Sequence, residues 1–471
     1  MRQSRLFRNV SALVLAQGVT KILNFAVSLV LVRYLGVEEL GRYSYIIAYA
    51  FPFGALADFG LAAYSIREIS RDPSRASEVL AVLRRAVLLL GGATGIVMVG
   101  LAVLTGHEVL TTACIAVVAL TNLVSAATTP FVVSMTARED LHLVSVYRVA
   151  AAALGVVATV AVLFWGGGIF ALFAATAGVN VVMWFAGRML AGVSLLASPV
   201  PLTVVRTMVG RAAPFGFLLL GFALYYRIDM IMLRWLRDEG AVGLYSAAYR
   251  FLDAVILLAA TLGGSFYPRL SNMMARDLDG VRDILEYTWK PMLALGLPVA
   301  SGAFFVAQPL IVVLFGREFI DAAPLLQILI WGSLPILLIN IPSHALNAAN
   351  RAWTLAAVFG LNALVNVLVN FALIPRWGAV GASMATVLCE WLALVFVTLL
   401  VRREFKVPCS LEGIWRYVLA AAGMAIVLGL TSGAGLVIEL SAGVVTYAGC
   451  LLLLGYLRSA DMLAMRRLLA Q

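Results

Sequence analysis

Apolar residues along this chain recur in runs of about 20, separated by short polar segments. That is the length a helix needs to cross a hydrocarbon core of roughly 30 Å. The pattern predicts fourteen transmembrane helices, at approximately 9–32, 43–66, 80–104, 109–136, 144–164, 168–190, 211–234, 242–268, 287–314, 322–348, 353–373, 379–401, 413–430 and 436–457. At about 24 residues each they take about 336 of the 471 positions, so no extramembrane domain of ordinary size remains. The first run, Val10 to Val32, follows a basic start, as in a signal peptide. It is too long for a signal-peptide core, contains Lys21 and has no small-residue cleavage site before Arg33. It reads as an uncleaved first span.

Composition points the same way. The chain is 63% hydrophobic and 12% charged, about half the ionic content of a soluble domain, which excludes a water-soluble protein. The net charge of +10 comes mainly from arginines in short loops, where it is an orientation signal. No base-reading module accompanies it, so nucleic acid is not an expected partner. With the N-terminus inside, nineteen basic residues fall in cytoplasmic segments, among them Arg67, Arg71, Arg75, Arg206, Arg269 and Arg282. Only Arg33, Arg42, Arg234, Arg237, Arg317 and Arg376 fall outside, so both termini are expected in the cytoplasm. Cys114, Cys389, Cys409 and Cys450 are too scattered for a disulfide framework or a metal site.

The spans repeat. Arg33-Tyr34-Leu35-Gly36 and then Gly41-Arg42-Tyr43-Ser44 correspond to Arg234-Trp235-Leu236 and then Gly243-Leu244-Tyr245-Ser246. Trp165-Gly166 before Ala175-Thr176 corresponds to Trp377-Gly378 before Ala385-Thr386, and Pro130 before Arg138 to Pro342 before Arg351. The correspondences keep their order at a nearly constant offset, so spans 1–6 and 7–12 read as two parallel repeats, a transporter architecture. The expected organisation is an N-terminal six-helix lobe at 1–190, an interfacial linker at 191–210 with Pro199 and Pro201, and a C-terminal six-helix lobe at 211–404. Appended helices 13 and 14 follow at 405–457, then a basic amphipathic cytoplasmic tail at 458–471.

These patches resemble the polysaccharide (Wzx-type) flippases of the multidrug/oligosaccharidyl-lipid/polysaccharide exporter superfamily. The likeness lies in Arg33 to Gly36 with Gly41 to Ser44, in Asp229 with Arg234-Trp-Leu and Val242 to Arg250, and in Tyr267-Pro268-Arg-Leu-Ser271. The resemblance implies an all-α integral membrane fold, with two lobes forming a V-shaped central cavity that opens alternately to each side. It implies a flippase for a polyprenyl-(pyro)phosphate-linked oligosaccharide in cell-surface polysaccharide biosynthesis.

Ionisable residues inside spans cost about 2.5–3.5 kcal/mol to insert and are functional candidates by default. Lys21 sits near the middle of span 1, either aimed at a phosphate or paired with a buried carboxylate. Arg250 and Asp253 share a face of span 8, and Arg227 and Asp229 lie on span 7. They form either an interhelical ion-pair cluster or a cavity in which guanidinium forks hold pyrophosphate. Lys21, Arg227 and Arg250 are thus the candidate substrate residues. Asp58, Asp229, Asp253 and Glu390 are candidates for ion coupling or ion pairing, with H+ or Na+ as the coupling ion. His344 reads as a packing residue. Lipid II flippases carry basic residues on spans 1, 2 and 8; here span 2 offers Asp58 instead.

No P-loop is present, and His107-Glu108 lacks the second histidine of a zinc protease. The outer loops, of about ten residues or fewer, leave no room for the catalytic loop of a glycan-assembly enzyme. The expectation is therefore a non-enzymatic transporter in the inner or plasma membrane, without a cofactor, acting as a monomer among membrane lipids. Glycan polymerase and glycosyltransferases are the expected protein partners. The rival readings are a lipid II flippase and a cation-coupled multidrug antiporter.

Overall fold

A computed structural model describes residues 2–192, 200–274, 276–407 and 413–455, apart from the side chains of 2–17, 19, 21, 22, 24, 218 and 222. The Lys21 side chain, residues 193–199 of the linker, Cys409 and the basic tail thus lie outside the described residues, and the end of the expected linker, from Leu202, is already helical as the start of α7. Among the described residues there is no strand. The helices are α1 (Arg2–Asp58), α2 (Leu61–Arg71), α3 (Ala76–Leu104), α4 (Val109–Ala137), α5 (Leu141–Phe164) and α6 (Ile169–Ala191). Then come α7 (Leu202–Leu236), α8 (Glu239–Met273), α9 (Leu278–Phe305), α10 (Ala307–Phe315) and α11 (Ala323–Leu329). The last are α12 (Ser333–Ala348), α13 (Ala352–Phe405), α14 (Ile414–Leu430) and α15 (Leu436–Leu453).

Nine described helices are long and apolar enough to span a membrane, or eleven when the bent α7 and the bent α9–α10 pair count as one span each. Two of the nine are too long to be single spans. Phe25–Arg71 has 47 residues and Ala352–Phe405 has 54. At 1.5 Å per residue they would run about 70 and 80 Å, more than twice the hydrocarbon thickness. Each breaks at a glycine with positive φ, Gly36 at 70° and Gly378 at 56°. At the second break the chain doubles back, because the Asn362 side-chain amide donates to the Cys389 carbonyl at 2.9 Å, 27 residues on. Counting two spans in each, and adding the shorter apolar α14, the eleven become fourteen. The protein is an all-α, multi-pass membrane protein.

Three expected spans are interrupted. The second, at 43–66, breaks at Phe59 and Gly60, whose φ values are 40° and 73°. A side chain on Gly60 would meet the Phe215 side chain and the Gly216 nitrogen, and one on Gly216 the Phe59 ring, so α7 crosses in contact with the break. The ninth, at 287–314, ends at Phe305, and α10 leaves at 77°. Pro309 has no N–H to donate to the Phe305 carbonyl one turn earlier, so a straight helix cannot continue through it. The tenth, at 322–348, is α11 and α12 joined by a 3₁₀ turn at Ile330–Gly332, with Pro324 and Pro335 near the starts of the two helices.

The chain divides into two compact units, Met1–Leu35 with Arg42–Arg227, and Gly36–Gly41 with Ile228–Gln471. In the first, Leu61, Leu83, Val133 and Ala212 join α2, α3, α4 and α7 in one apolar core. In the second, Ile284, Ile341, Ala345 and Val397 join α9, α12 and α13. There α14 and α15 pack on α9 through Met424, Leu428 and Tyr447, whose hydroxyl donates to the Ala294 carbonyl at 2.8 Å. The second unit also contains the contact between the two repeat markers. A Cβ on Gly41 would overlap the Glu239 carbonyl oxygen and lie 2.9 Å from the Gly243 nitrogen, and one on Gly243 would overlap the Val37 carbonyl oxygen.

Candidate functional site

Asp229 lies on the C-terminal part of α7 and is 4% exposed. In hydrocarbon an unpaired carboxylate is costly, so its oxygens need donors. Oδ1 accepts from the Met230 backbone N–H at 2.8 Å. Oδ2 accepts a short hydrogen bond from the Tyr245 hydroxyl on α8. The Thr386 hydroxyl on α13 lies 2.9 Å from the Tyr245 hydroxyl and 3.5 Å from Oδ2, and donates to the Ala382 carbonyl one turn back. Three helices thus converge on one carboxylate.

The hairpin in α13 extends this polar group. Asn366, one turn beyond Asn362, makes a side-chain hydrogen bond with Cys389. Asn362, Asn366 and Asn370 are spaced one turn apart and are all buried. Asn370 donates to the Asn366 side-chain oxygen at 2.9 Å, while its own amide oxygen has no hydrogen-bond partner among the described residues. Glu390, one turn beyond Thr386, is 4% exposed, with its Cγ 3.7 Å from where a Cβ on Gly332 would stand. The carboxylate, hydroxyls and side-chain amides are hard oxygen donors, which suit a proton or an alkali cation rather than a transition metal.

Arg227, in the first unit, places its guanidinium 5.9 Å from the centroid of the Phe51 ring. A guanidinium over a ring face is attracted by the ring's quadrupole. Arg250 and Asp253 stand one turn apart on α8, both partly buried. Asp58 is not in the middle of an unbroken span. It ends α1, and its Oδ1 accepts from the Ala62 N–H at 3.4 Å, which gives the break a polar cap. His344 packs against the Tyr267 ring at 5.5 Å.

Sequence inspection singled out Asp229 and missed its partners as a site. Tyr245 and Thr386 were visible only as repeat markers, because a lone tyrosine or threonine in an apolar span has no chemistry of its own. The Asn362, Asn366, Asn370 series was a usable signal: three amides on one face of an apolar helix need partners inside the protein.

Residues 6–274 match the family model described as "Polysaccharide biosynthesis protein", and residues 205–454 the one described as "Lipid II flippase MurJ". The chain is 25% identical over 211 residues to the "Probable flippase AglR" of Haloferax volcanii, covering 43% of this chain and 44% of that protein. It is 23% identical over 170 residues to the "Probable low-salt glycan biosynthesis flippase Agl15" of the same organism, 36% of each. The matched region is therefore less than half the length of these relatives. Among solved structures, "Lipid II flippase MurJ, inward closed conformation" superposes with a TM-score of 0.80 at 13% identity, over 93% of this chain and 97% of that one. A multidrug resistance MATE family transporter of the MOP superfamily, in an inward-facing conformation, gives 0.65 at 16% identity, over 82% and 94%. At these identities the likeness is one of fold.

Proposed function

The chain belongs to the polysaccharide biosynthesis protein family and, through residues 205–454, to the lipid II flippase MurJ family; on that premise we propose that it flips a polyprenyl-(pyro)phosphate-linked oligosaccharide from the cytoplasmic to the outer leaflet by alternating access, for cell-surface polysaccharide. The observation that carries this is a family match over more than half the chain, with relatives named as flippases. The repeats at 1–190 and 211–404 are the halves that alternate, and the appended helices of 405–457, α14 and α15, are an addition to the second. The protein works as a monomer in the inner or plasma membrane with both termini cytoplasmic, handing its cargo to glycan polymerase and receiving it from glycosyltransferases.

Lys21, Arg227 and Arg250 meet the phosphate of the cargo. Arginine forks and a lysine point charge compensate a pyrophosphate that water no longer solvates, which a drug antiporter for cationic compounds would not need. Asp229, with Tyr245, Thr386, Asn366 and Asn370, takes up H+ or Na+, and its occupancy couples the gradient to the conformational cycle. Asp58, Asp253 and Glu390 are the further acids of that coupling or of its ion pairs.

A second reading, lipid II as the cargo, draws on the match of residues 205–454 and on the fold likeness. Both cargoes share a polyprenyl pyrophosphate and differ in the head. In vesicles carrying the purified full chain, inward-labelled lipid-linked oligosaccharide and lipid II are offered in parallel, and outer-leaflet appearance is read by a membrane-impermeant enzyme. Faster transfer of the oligosaccharide supports the main reading, and faster transfer of lipid II supports the second. Transfer of neither, under a gradient of either ion, refutes both.

A further inference from the structure

A cleft in the first unit is independent of that machinery. It opens where α2 ends, where the 3₁₀ turn Pro73–Arg75 leads into α3, and where α7 begins, and it encloses about 250 Å³. Span-bearing helices end or start here, so the cleft stands at the membrane–water boundary, on the face that the loop arginines predict to be cytoplasmic.

Its charges form a row in which Glu68 faces both Arg75 and Arg211. The Arg75 guanidinium lies 3.2 Å from Glu78 and 3.6 Å from Glu68, so two carboxylates share one arginine at this end. At the other end Arg211, from α7, reaches the Tyr64 hydroxyl, which uses one of its five N–H donors. Buried Val79 and Met208 make an apolar floor, and exposed Val204 continues the apolar surface outward. A simple anion would meet two carboxylates here, and a simple cation two guanidiniums. A small zwitterion satisfies both ends: a phosphate on Arg211, and an N–H-bearing ammonium that releases a carboxylate from sharing Arg75. The apolar floor beside them suits a glycerol ester and the start of an acyl chain.

We propose that this cleft is a binding site for the phosphoethanolamine headgroup of an inner-leaflet phospholipid. A choline headgroup fits the same space but its quaternary ammonium has no N–H to donate to Glu68 or Glu78, so it binds more weakly. A phosphoglycerol headgroup leaves the carboxylates unanswered and is also disfavoured.

The test uses the purified, delipidated full chain, offered equal amounts of phosphatidylethanolamine, phosphatidylcholine and phosphatidylglycerol with identical acyl chains, with retained lipid read by native mass spectrometry. Phosphatidylethanolamine should exceed each of the others about fivefold; Glu78→Gln should reduce that ratio to near one, and Arg211→Gln should lower retention of all three lipids together. Arg206→Gln, an exposed arginine on α7 outside the cleft, should leave both unchanged. Because the lipids compete in one spectrum, partial loss of folded protein cannot imitate the change in ratio. Equal retention of ethanolamine and choline lipids would overturn the ammonium half of the assignment, and preference for phosphatidylglycerol would overturn the whole of it. An undiminished ratio in Glu78→Gln together with undiminished retention in Arg211→Gln would place the lipid elsewhere. Millimolar glycerophosphoethanolamine should not displace the lipid; displacement would make the ligand a free soluble phosphoethanolamine and overturn the lipid assignment.

Discussion

Gly41 and Gly243, which occupy matching places in the two repeats, press their backbones against each other's neighbourhood. A methyl on Gly41 would overlap the Glu239 carbonyl oxygen, and one on Gly243 the Val37 carbonyl oxygen. The obstacles are main-chain atoms, which cannot rotate aside as a side chain would. Gly243→Ala should therefore lower stability by about 1–3 kcal/mol, as overpacking a tight contact does. Gly264→Ala on the same helix, where nothing stands within 4 Å, should not. Thermal unfolding in detergent checks this, and equal melting temperatures for the two variants would show that the approach relaxes freely.

Tyr245 donates its hydroxyl proton to Asp229 Oδ2. Tyr245→Phe keeps the ring, buried in the second unit, and removes only the hydroxyl. Hydrogen bonds to charged groups contribute about 1.5–3 kcal/mol, and a loss of that order is expected in the unfolding free energy. Thr386→Val, at 3.5 Å from the carboxylate, should cost less. The reverse order would show that Thr386 is the principal donor.

Asp229→Asn bears on coupling. An amide of the same shape keeps the space filled but neither binds a proton nor carries charge. Transport by the variant in vesicles should no longer respond to an imposed H+ or Na+ gradient, while insertion and protein level stay near wild type. A gradient response equal to wild type would move the coupling to Glu390, Asp253 or Asp58.

Arg250 is tested together with Asp253. Arg250→Ala should reduce glycan export strongly, and Arg250→Lys should restore only part of it, since an ammonium lacks the bidentate fork. Removing both charges distinguishes a phosphate ligand from an ion-pair brace, because neither partner is then left unpaired. The double variant should stay inactive; recovery of most export would make the pair structural.

Orientation is checked by labelling. In a chain whose native cysteines are replaced by serine, Gly168→Cys should react with an impermeant maleimide from outside and Ser74→Cys only after permeabilisation. Gly168 has φ −76°, so a side chain there is unstrained, and Ser74 is exposed in the turn before α3. The opposite pattern at both positions would invert the topology.

The sequence alone determined the fold class and the number of spans. The reason is that hydrocarbon imposes one solution on the backbone: each crossing is an apolar run of about 20 residues that satisfies its own hydrogen bonds. For the same reason Asp229 and Glu390 stood out as candidates, since a charge in such a run is conspicuous. What those charges touch depends on partners far along the chain. Tyr245 and Thr386 are 16 and 157 residues from Asp229, and only the packing of α7, α8 and α13 brings them to one carboxylate. The interruptions at Gly60, Phe305 and Ile330 were equally illegible, because hydropathy counts apolar residues without regard to direction. A left-handed glycine or a proline lacking its N–H changes direction without changing hydropathy. The placement of polar side chains within an apolar frame was decided by tertiary packing.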